Sequence, residues 1–423
     1  MHAAMNYGAP WWLPDGNMQT IWAALRARRF DGLAPVFQRE RWATPDSDFV
    51  DVDWLDDAPT LPAARGSLPP GVALRLRPGE AGSAAPAGGE MASTLPAACG
   101  SLLNVAPPRS LTSCSFLPPE GVAAPAARQS RFCGPGLNGP DARASVRPEK
   151  ASEQPLLVLF HGLEGSSGSH YAQAFADVAG RRGWACAVPH FRGCSGEMNL
   201  APRAYHSGDF AEIDWLLRRF ASRHHGPVLA VGVSLGGNAL MRWAGEMGRD
   251  AGQVVVAIAS VSAPLDLAAS GRAIGRGFNR QVYTRMFLKT MVPKALQKLA
   301  QHPGLFDRAA LLAARDLYAF DHVFTGPLHG FKGVDDYWAR ASAKPHLGRI
   351  AVPALALNAL NDPFIPPGSL PGSAEVSPDV TLWQPAQGGH VGFPSSGFPA
   401  HVRAMPEAVA DFLAAQLQAV ACP

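Results

Sequence analysis

The sequence predicts an α/β domain with a mostly parallel central sheet flanked by helices. From residue 155 onward, short and continuously apolar runs recur, among them LLVLF at Leu156–Phe160 and VLAVGV at Val228–Val233. Runs of this length are typical of strands that are buried on both faces of a parallel sheet. Stretches with apolar residues at helical spacing separate them, and this alternation favours parallel strands joined by crossover helices.

The order of the expected elements follows from the same patterns. The runs Phe37–Ala43 and Phe49–Leu55 predict a leading antiparallel hairpin. Further strands are expected at Leu156–Phe160, Ala185–Pro189, Val228–Val233, 254–260, 354–358 and 380–384, with helices at 171–182, 209–222 and 238–247. Residues 264–345 hold helix-like stretches at 282–300 and 309–320 but no clear strand. They therefore predict a helical cap over one edge of the sheet.

The segment 58–153 differs in composition from the rest of the chain. Of its 96 residues, 55 are Ala, Pro, Gly or Ser, and LPAARGSL at 61–68 recurs as LPAACGSL at 95–102. Such a sequence buries too little apolar surface to offset the entropy of ordering it. We expect a disordered, low-complexity insertion here, between the N-terminal part of the α/β domain (1–57) and its core (154–423). A Pro-rich docking segment is the alternative.

Composition and charge exclude several classes of protein. The 423 residues are 47% hydrophobic, and 37 basic against 34 acidic residues give a net charge of +3, which provides no drive toward nucleic acid. No apolar run reaches the roughly 18 residues of a transmembrane helix, although peripheral contact with a membrane stays open. Residues 1–12 do not resemble a signal peptide, so we expect a cytoplasmic protein. Its six cysteines form no CxxC pair, and neither a metal nor an organic cofactor is expected.

The strongest chemical signal is the sequence GVSLG at residues 232–236, which has the form GxSxG. It follows the predicted strand Val228–Val233 and opens a predicted helix, the context in which this motif exposes a nucleophilic serine on a sharp turn. The helix N-terminus directs backbone N–H groups at a developing oxyanion. We therefore predict that Ser234 is a catalytic nucleophile and that the Leu235 N–H is one oxyanion donor. An inert glycine-rich turn is the alternative.

A serine nucleophile needs a base, and the expected chain order is serine, then an acid, then histidine. Asp362 follows the predicted strand 354–358, and His390 follows the predicted strand 380–384. Both lie just beyond strand ends, at the edge where parallel sheets place their sites. We predict that His390 is the general base and that Asp362 holds its tautomer and stabilises its imidazolium.

Other residues near the same edge are weaker candidates. Asp266 follows the predicted strand 254–260 and is a rival acid, whereas His401 lies on a helix-like segment. Cys194 has no activating partner in the sequence, so we do not expect it to be a nucleophile. Three histidines in the same region have no fixed ligand spacing and favour packing roles over a metal site; they are His170, His190 and His206.

The loop after the strand Leu156–Phe160 supplies the second oxyanion donor that this chemistry requires. The sequence HGLEG at residues 161–165 lies there, and the Leu163 N–H is the predicted donor. Gly162 allows the backbone to approach the substrate closely. His161 is expected to have a structural role.

Four stretches of the chain resemble the α/β-hydrolase superfamily and, within it, the YheT-like family. They are PWWLPDGNMQTIW at 10–22, HGLEGSS at 161–167, PHFRGCSG at 189–196 and GVSLGGN at 232–238. The resemblance covers nearly the whole chain outside the insertion. It implies an α/β-hydrolase fold and serine esterase or lipase activity on carboxylic esters. Relatives often carry two adjacent aspartates where this chain has Asn361-Asp362.

With this resemblance, the residues predict a serine carboxylic ester hydrolase that acts on an apolar acyl ester through an acyl-enzyme intermediate. Its substrate would be a small-molecule or lipid ester. The cap offers side chains that could contact an acyl group, namely Phe278, Tyr283, Met286, Phe287 and Met291. An acyltransferase with the same triad and a non-catalytic binding protein that keeps the fold are the alternatives.

Overall fold

A computed structural model describes residues 7–56, 153–395 and 397–421. The strands of these residues are β1 (Phe37–Ala43), β2 (Phe49–Leu55), β3 (Leu156–Phe160), β4 (Ala185–Pro189), β5 (Val228–Val233), β6 (Ala257–Val261), β7 (Ala354–Leu357) and β8 (Val380–Trp383). They form one sheet in the order β1-β2-β4-β3-β5-β6-β7-β8. The pairs β1–β2 and β2–β4 are antiparallel and the other neighbouring pairs are parallel, which confirms the predicted mostly parallel sheet. Apart from Glu153, the predicted insertion at 58–153 lies outside the described residues.

Helices flank the sheet and also fill the long connection between β6 and β7. The α-helices are α1 (Gly16–Leu25), α2 (His170–Arg181), α3 (Phe210–Arg223), α4 (Leu235–Met247), α5 (Leu267–Ile274), α6 (Gly277–Asn279), α7 (Arg285–Gln301), α8 (Arg308–Ala313), α9 (Leu317–Val323), α10 (Thr325–Leu328), α11 (Val334–Ala341) and α12 (Ala404–Ala421). A π-helical turn at Arg280–Thr284 joins α6 to α7. In the part of the chain described here, no helix has both the length and the apolar character needed to cross a membrane.

Two elements differ from the sequence expectation. The strand predicted at 254–260 begins only at Ala257, because the amides of Val254 and Val255 close a turn on the Ala251 carbonyl. The single helix predicted at 309–320 is two helices, α8 and α9. Asp316 separates them because its side chain accepts a hydrogen bond from the Ala319 amide and starts a new helix.

Strand β3 shows why continuous apolar runs occupy the middle of the sheet. Its alternate residues Leu156, Val158 and Phe160 pack in a core with α3 and α4. Leu157 and Leu159 pack on the opposite face, in a core with α2 and α12. Since successive side chains of a strand point to opposite faces, a strand covered by helices on both sides needs an apolar residue at every position.

Asp53, a buried carboxylate on β2, holds the loops that follow β3 and β4. These loops lie at the edge of the sheet where the parallel strands end. Asp53 accepts hydrogen bonds from Arg39, from Ser167 Oγ at 2.6 Å and from His190 Nε2 at 2.9 Å. Burial alone would raise the pKa of Asp53, but these hydrogen bonds lower it well below its ordinary value. His190 therefore has a structural role, which joins the loop after β4 to β2.

Strand pairing brings the two ends of the undescribed segment close together. Trp54 pairs with Ala187, and Ala187 pairs with Val158, so the end of β2 and the start of β3 lie two strand spacings apart, or about 10 Å. We predict that deletion of residues 60–151 preserves the fold, because the residues that remain between Leu55 and Leu156 easily span this distance. The midpoint of thermal unfolding should change by only a few degrees.

A longer deletion of residues 60–160 is the control for this experiment. It removes β3, which lies between β4 and β5, and should abolish cooperative unfolding. If the shorter deletion also yields aggregated protein without a cooperative transition, residues 60–151 contribute to folding and the prediction is wrong.

Candidate active site

Ser234 lies on the sharp turn between β5 and α4. Its φ of 52° is in a region that residues other than glycine rarely adopt. The neighbouring glycines are required by close backbone contacts. A Cβ atom on Gly232 would lie 2.5 Å from the Gly236 carbonyl oxygen, and one on Gly236 would lie 2.5 Å from the Phe160 oxygen. Leu235 is the first residue of α4, where backbone N–H groups have no partner within the helix.

The structure brings the three residues of the predicted triad together. His390 Nε2 lies 3.0 Å from Ser234 Oγ, and His390 Nδ1 lies 2.8 Å from Asp362 Oδ2. Because a carboxylate accepts at Nδ1, that nitrogen carries the proton and Nε2 is free to accept from the serine hydroxyl. The second carboxylate oxygen of Asp362 accepts a hydrogen bond from the Phe364 amide at 2.8 Å. This arrangement allows His390 to take a proton from Ser234.

Leu163, in the loop after β3, lines the same cavity as Ser234. The amides on either side of it are occupied by tyrosine hydroxyls. Gly162 N–H donates to Tyr171 Oη at 2.9 Å, and Glu164 N–H donates to Tyr205 Oη at 3.0 Å. These two bonds fix the backbone on both sides of Leu163.

The rival residues lie in other environments. Asp266 caps α5 by accepting from the Ala269 amide at 2.9 Å, and the His401 ring contacts Ser395. His161 is buried, and its Nε2 accepts a hydrogen bond from the Phe191 amide at 3.0 Å. Burial lowers the pKa of His161 to about 3, which keeps the ring neutral. These geometries leave His390 and Asp362 as the pair at Ser234.

A cavity of about 160 Å³ extends from Ser234 beneath the helices of residues 264–345. Most of its lining is apolar. Two of the five side chains expected to contact an acyl group, Phe287 and Met291, line it. The other three do not: Phe278 and Met286 are 54% and 53% exposed, and Tyr283 packs against Phe364. Helical spacing alone could not distinguish the inner face of this segment from its outer face.

Two lysines of α7 connect this helix to loops that line the cavity. Lys294 forms an ion pair of 2.9 Å with Glu164, next to the proposed oxyanion donor. Lys298 is almost fully buried and donates to the carbonyl oxygens of Asn199 and Ala201. Burial lowers the pKa of Lys298 to about 8. The charged ends of these lysines therefore attach α7 to the loop that contains Glu164 and to the loop that contains Asn199 and Ala201.

The cysteines of the described chain do not have the environment of a nucleophile. Burial raises the pKa of the Cys186 and Cys194 thiols to about 12. Within residues 7–56, 153–395 and 397–421, no group of three His, Cys, Asp or Glu side chains has the geometry to hold a metal ion.

Helix α1 holds the loop that carries His390, a contact that the sequence analysis missed. Thr20 Oγ1 accepts a hydrogen bond from the His390 amide at 2.8 Å. Gln19 is fully buried, and its Oε1 accepts from the Gly388 amide at 2.8 Å and from Asn361 Nδ2 at 3.0 Å. These bonds join residues more than 340 positions apart in the chain, so sequence spacing could not reveal them. The only signal was that Gln19 and Thr20 belong to the stretch PWWLPDGNMQTIW.

Asn361 completes this contact from the loop that carries Asp362. Its Oδ1 accepts from the Gly389 amide at 3.0 Å while its Nδ2 donates to Gln19. An amide can do both, whereas an ionised carboxylate only accepts. An asparagine is therefore suited to the position between Gln19 and the histidine loop.

We predict that Thr20→Val lowers kcat about 10- to 100-fold with little change in KM, because the His390 amide loses its acceptor and the imidazole loses its position. Thr20→Ser keeps the hydroxyl and is the matched control, which should retain most of the activity. The two variants are compared in steady-state ester hydrolysis. Equal losses in both variants would show that packing of the threonine methyl group, and not the hydrogen bond, is what matters.

The sheet order and the sharp turn at Ser234 define the class of protein as an α/β hydrolase. The chain belongs to the alpha/beta hydrolase fold family, whose model matches residues 155–396.

Similar proteins agree with this assignment. YheT of Escherichia coli (strain K12), a candidate esterase by its name, is 40% identical over 286 residues, which cover 67% of this chain and 83% of YheT. The phospholipase ABHD3 of Mus musculus is 29% identical over 274 residues, which cover 63% of this chain and 65% of that protein. A monoacylglycerol lipase of Saccharomyces cerevisiae is 30% identical over 272 residues, covering 61% of this chain and 57% of the lipase. The chain thus spans less than two thirds of the length of the mouse and yeast proteins.

Proposed function

We propose that the protein is a serine carboxylic ester hydrolase that forms an acyl-enzyme intermediate on Ser234. The observation that supports this most directly is the continuous chain of contacts from Ser234 Oγ through His390 to Asp362, at 3.0 and 2.8 Å, beside an apolar cavity. Distances in this range permit proton transfer between the serine and the imidazole.

In the first half of the reaction, His390 Nε2 takes the hydroxyl proton while Ser234 Oγ bonds to the ester carbonyl carbon. The amides of Leu163 and Leu235 donate to the oxyanion that forms. Asp362 stabilises the imidazolium through Nδ1. When the tetrahedral intermediate collapses, the C–O bond to the alcohol breaks, and the alcohol leaves with the proton from His390.

In the second half, a water molecule replaces the alcohol. His390 takes a proton from this water as its oxygen bonds to the acyl carbon, and the same two amides stabilise the second oxyanion. The bond to Ser234 Oγ then breaks, the serine recovers its proton from His390, and the carboxylic acid leaves. Every step uses groups of this chain and water.

The helices of residues 264–345 act in this proposal as a cap that shields the ester from bulk water. The apolar lining that they contribute includes Phe287, Met291, Phe320 and Phe324. An acyl group that enters this lining is removed from water, which favours binding by roughly 0.8 kcal/mol for each buried CH₂ group. The proposed substrate is therefore an ester with an apolar acyl group.

We predict that Ser234→Ala lowers kcat on p-nitrophenyl esters by roughly 10⁴-fold or more, because the nucleophile is lost while the fold is kept. Esters from acetate to palmitate are compared, and the optimum chain length measures the cavity. Ser222→Ala is the matched control, since Ser222 is exposed on α3 and should leave the rate unchanged.

Three outcomes would contradict the proposal. Equal rates for wild type and Ser234→Ala would show that another group carries the reaction. No hydrolysis of any ester by the folded wild-type protein would favour a non-catalytic binding role. If an added alcohol acceptor captures the acyl group in preference to water, the same triad serves acyl transfer instead of hydrolysis.

A further inference from the structure

We propose that Glu164 is a positioning residue for the reaction, and that Tyr205 and Lys294 hold it in place. Its role is to fix the backbone of the preceding residue, Leu163, whose amide is the proposed oxyanion donor. This inference rests on the proposed function, and it adds a requirement for contact between the cap helix α7 and the loop after β3. All four residues line the same cavity as Ser234.

Leu163 lies between two residues whose amides are already paired. Gly162 N–H donates to Tyr171 Oη at 2.9 Å, and Glu164 N–H donates to Tyr205 Oη at 3.0 Å. The Leu163 amide donates to no group among the residues that the structure describes. It is therefore free to donate to a bound oxyanion, as long as the backbone of this loop keeps its conformation.

The backbone at Glu164 has a conformation that needs support from other contacts. Its φ is 57°, in the left-handed region where the Cβ atom of an ordinary residue crowds the backbone. Glycine adopts this conformation without that strain. A loop that required only this backbone shape would be better served by glycine, so the glutamate points to contacts of its side chain.

The side chain of Glu164 makes these contacts with both of its carboxylate oxygens. Oε1 accepts a hydrogen bond from Tyr205 Oη at 2.8 Å, and Oε2 lies 2.9 Å from Lys294 Nζ. Because Tyr205 Oη also accepts from the Glu164 amide, one hydroxyl joins the backbone and the side chain of the same residue. The Glu164 side chain is only 10% exposed, so water competes little for these bonds.

Tyr205 and Lys294 are held by other parts of the structure. The Tyr205 ring stacks on the Phe191 ring with a centroid distance of 5.5 Å and an interplanar angle of 10°. Lys294 lies on α7, whose residues Phe287 and Met291 line the cavity. The ion pair therefore connects the proposed acyl-binding wall of the cap to the loop that carries the proposed oxyanion donor.

Substitutions that remove one contact at a time test this role. Lys294→Met removes the ion pair, Tyr205→Phe removes the hydroxyl, and Glu164→Gly removes the side chain while it relieves the backbone strain. We expect each variant to lower kcat for ester hydrolysis about 10- to 100-fold with little change in KM, because the oxyanion donor loses its position. Glu164→Gly is the decisive variant, since a loop that needs only its backbone shape would keep its activity.

Two further variants on α7 serve as controls. Lys294→Arg keeps a cation that can pair with Glu164, and it should retain most of the activity. Lys289→Met is the matched control for Lys294→Met, because Lys289 is exposed on the same helix and should leave kcat unchanged. Thermal unfolding of each variant shows which of them are folded, and Lys294→Met is the variant to use if Glu164→Gly does not fold.

A transition-state analogue separates loss of the oxyanion donor from a general loss of packing. With 1,1,1-trifluorodecan-2-one, Ser234 Oγ bonds to the carbonyl carbon, the hydroxyl proton passes to His390, and the carbonyl oxygen becomes an oxyanion. The inhibition constant should rise in Lys294→Met and Glu164→Gly by about the factor by which kcat/KM falls. Decan-2-ol has the same chain but forms no adduct, so its inhibition constant should stay the same.

The outcomes distinguish this role from the proposed function. Wild-type kcat in the folded Glu164→Gly and Lys294→Met variants would overturn the role of Glu164 and leave the proposed function intact. A lower kcat with unchanged inhibition by the trifluoromethyl ketone would also overturn it, because the oxyanion donor would then be unaffected. If the wild-type protein hydrolyses no ester and forms no adduct with the ketone, the proposed function is wrong and this role is wrong with it.

Discussion

The close packing of three backbone segments around Ser234 is the constraint on which the rest of the site depends. The start of α4 contacts the end of β3 so closely that only glycine fits at Gly236. The same contact sets the distance between the serine and the loop after β3, because a Cβ atom on Gly162 would lie 3.2 Å from the Ser234 Cβ. Ser234, the proposed nucleophile, and the loop with the proposed oxyanion donor are thus positioned by the same close backbone contacts.

His390, the proposed base, is positioned differently, by hydrogen bonds from distant parts of the chain. The loop that carries His390 follows β8, and the residues that hold it lie on α1 and in the loop after β7. Val391, the next residue, donates its amide to Ser262 Oγ at 3.0 Å in the segment after β6. Because four separate segments meet there, the position of His390 depends on the assembly of α1 with the strands β6, β7 and β8. Local stability of the loop alone would not keep the imidazole in place.

Patterns in the sequence were sufficient to predict the sheet and the three residues that the structure brings together at Ser234, because both have local signals. Leu156–Phe160 is apolar at every position, and Ser234, Asp362 and His390 each follow a strand-like run. Contacts that join distant segments have no such signal. The roles of Thr20, Gln19 and Asn361 depend on which loops meet in space. Packing likewise decides which side chains of the helices near the cavity face inward. Phe287 lines the cavity, whereas Phe278 is exposed.

The measurement that tests the central claim most directly is covalent labelling with a fluorophosphonate, read by mass spectrometry of the intact protein and its peptides. This probe reacts with a serine only when a neighbouring base activates it. The account predicts one adduct per chain, on the peptide that contains Ser234, and much slower labelling after His390→Gln. No adduct, or an adduct on another residue at the same rate in Ser234→Ala, would contradict it.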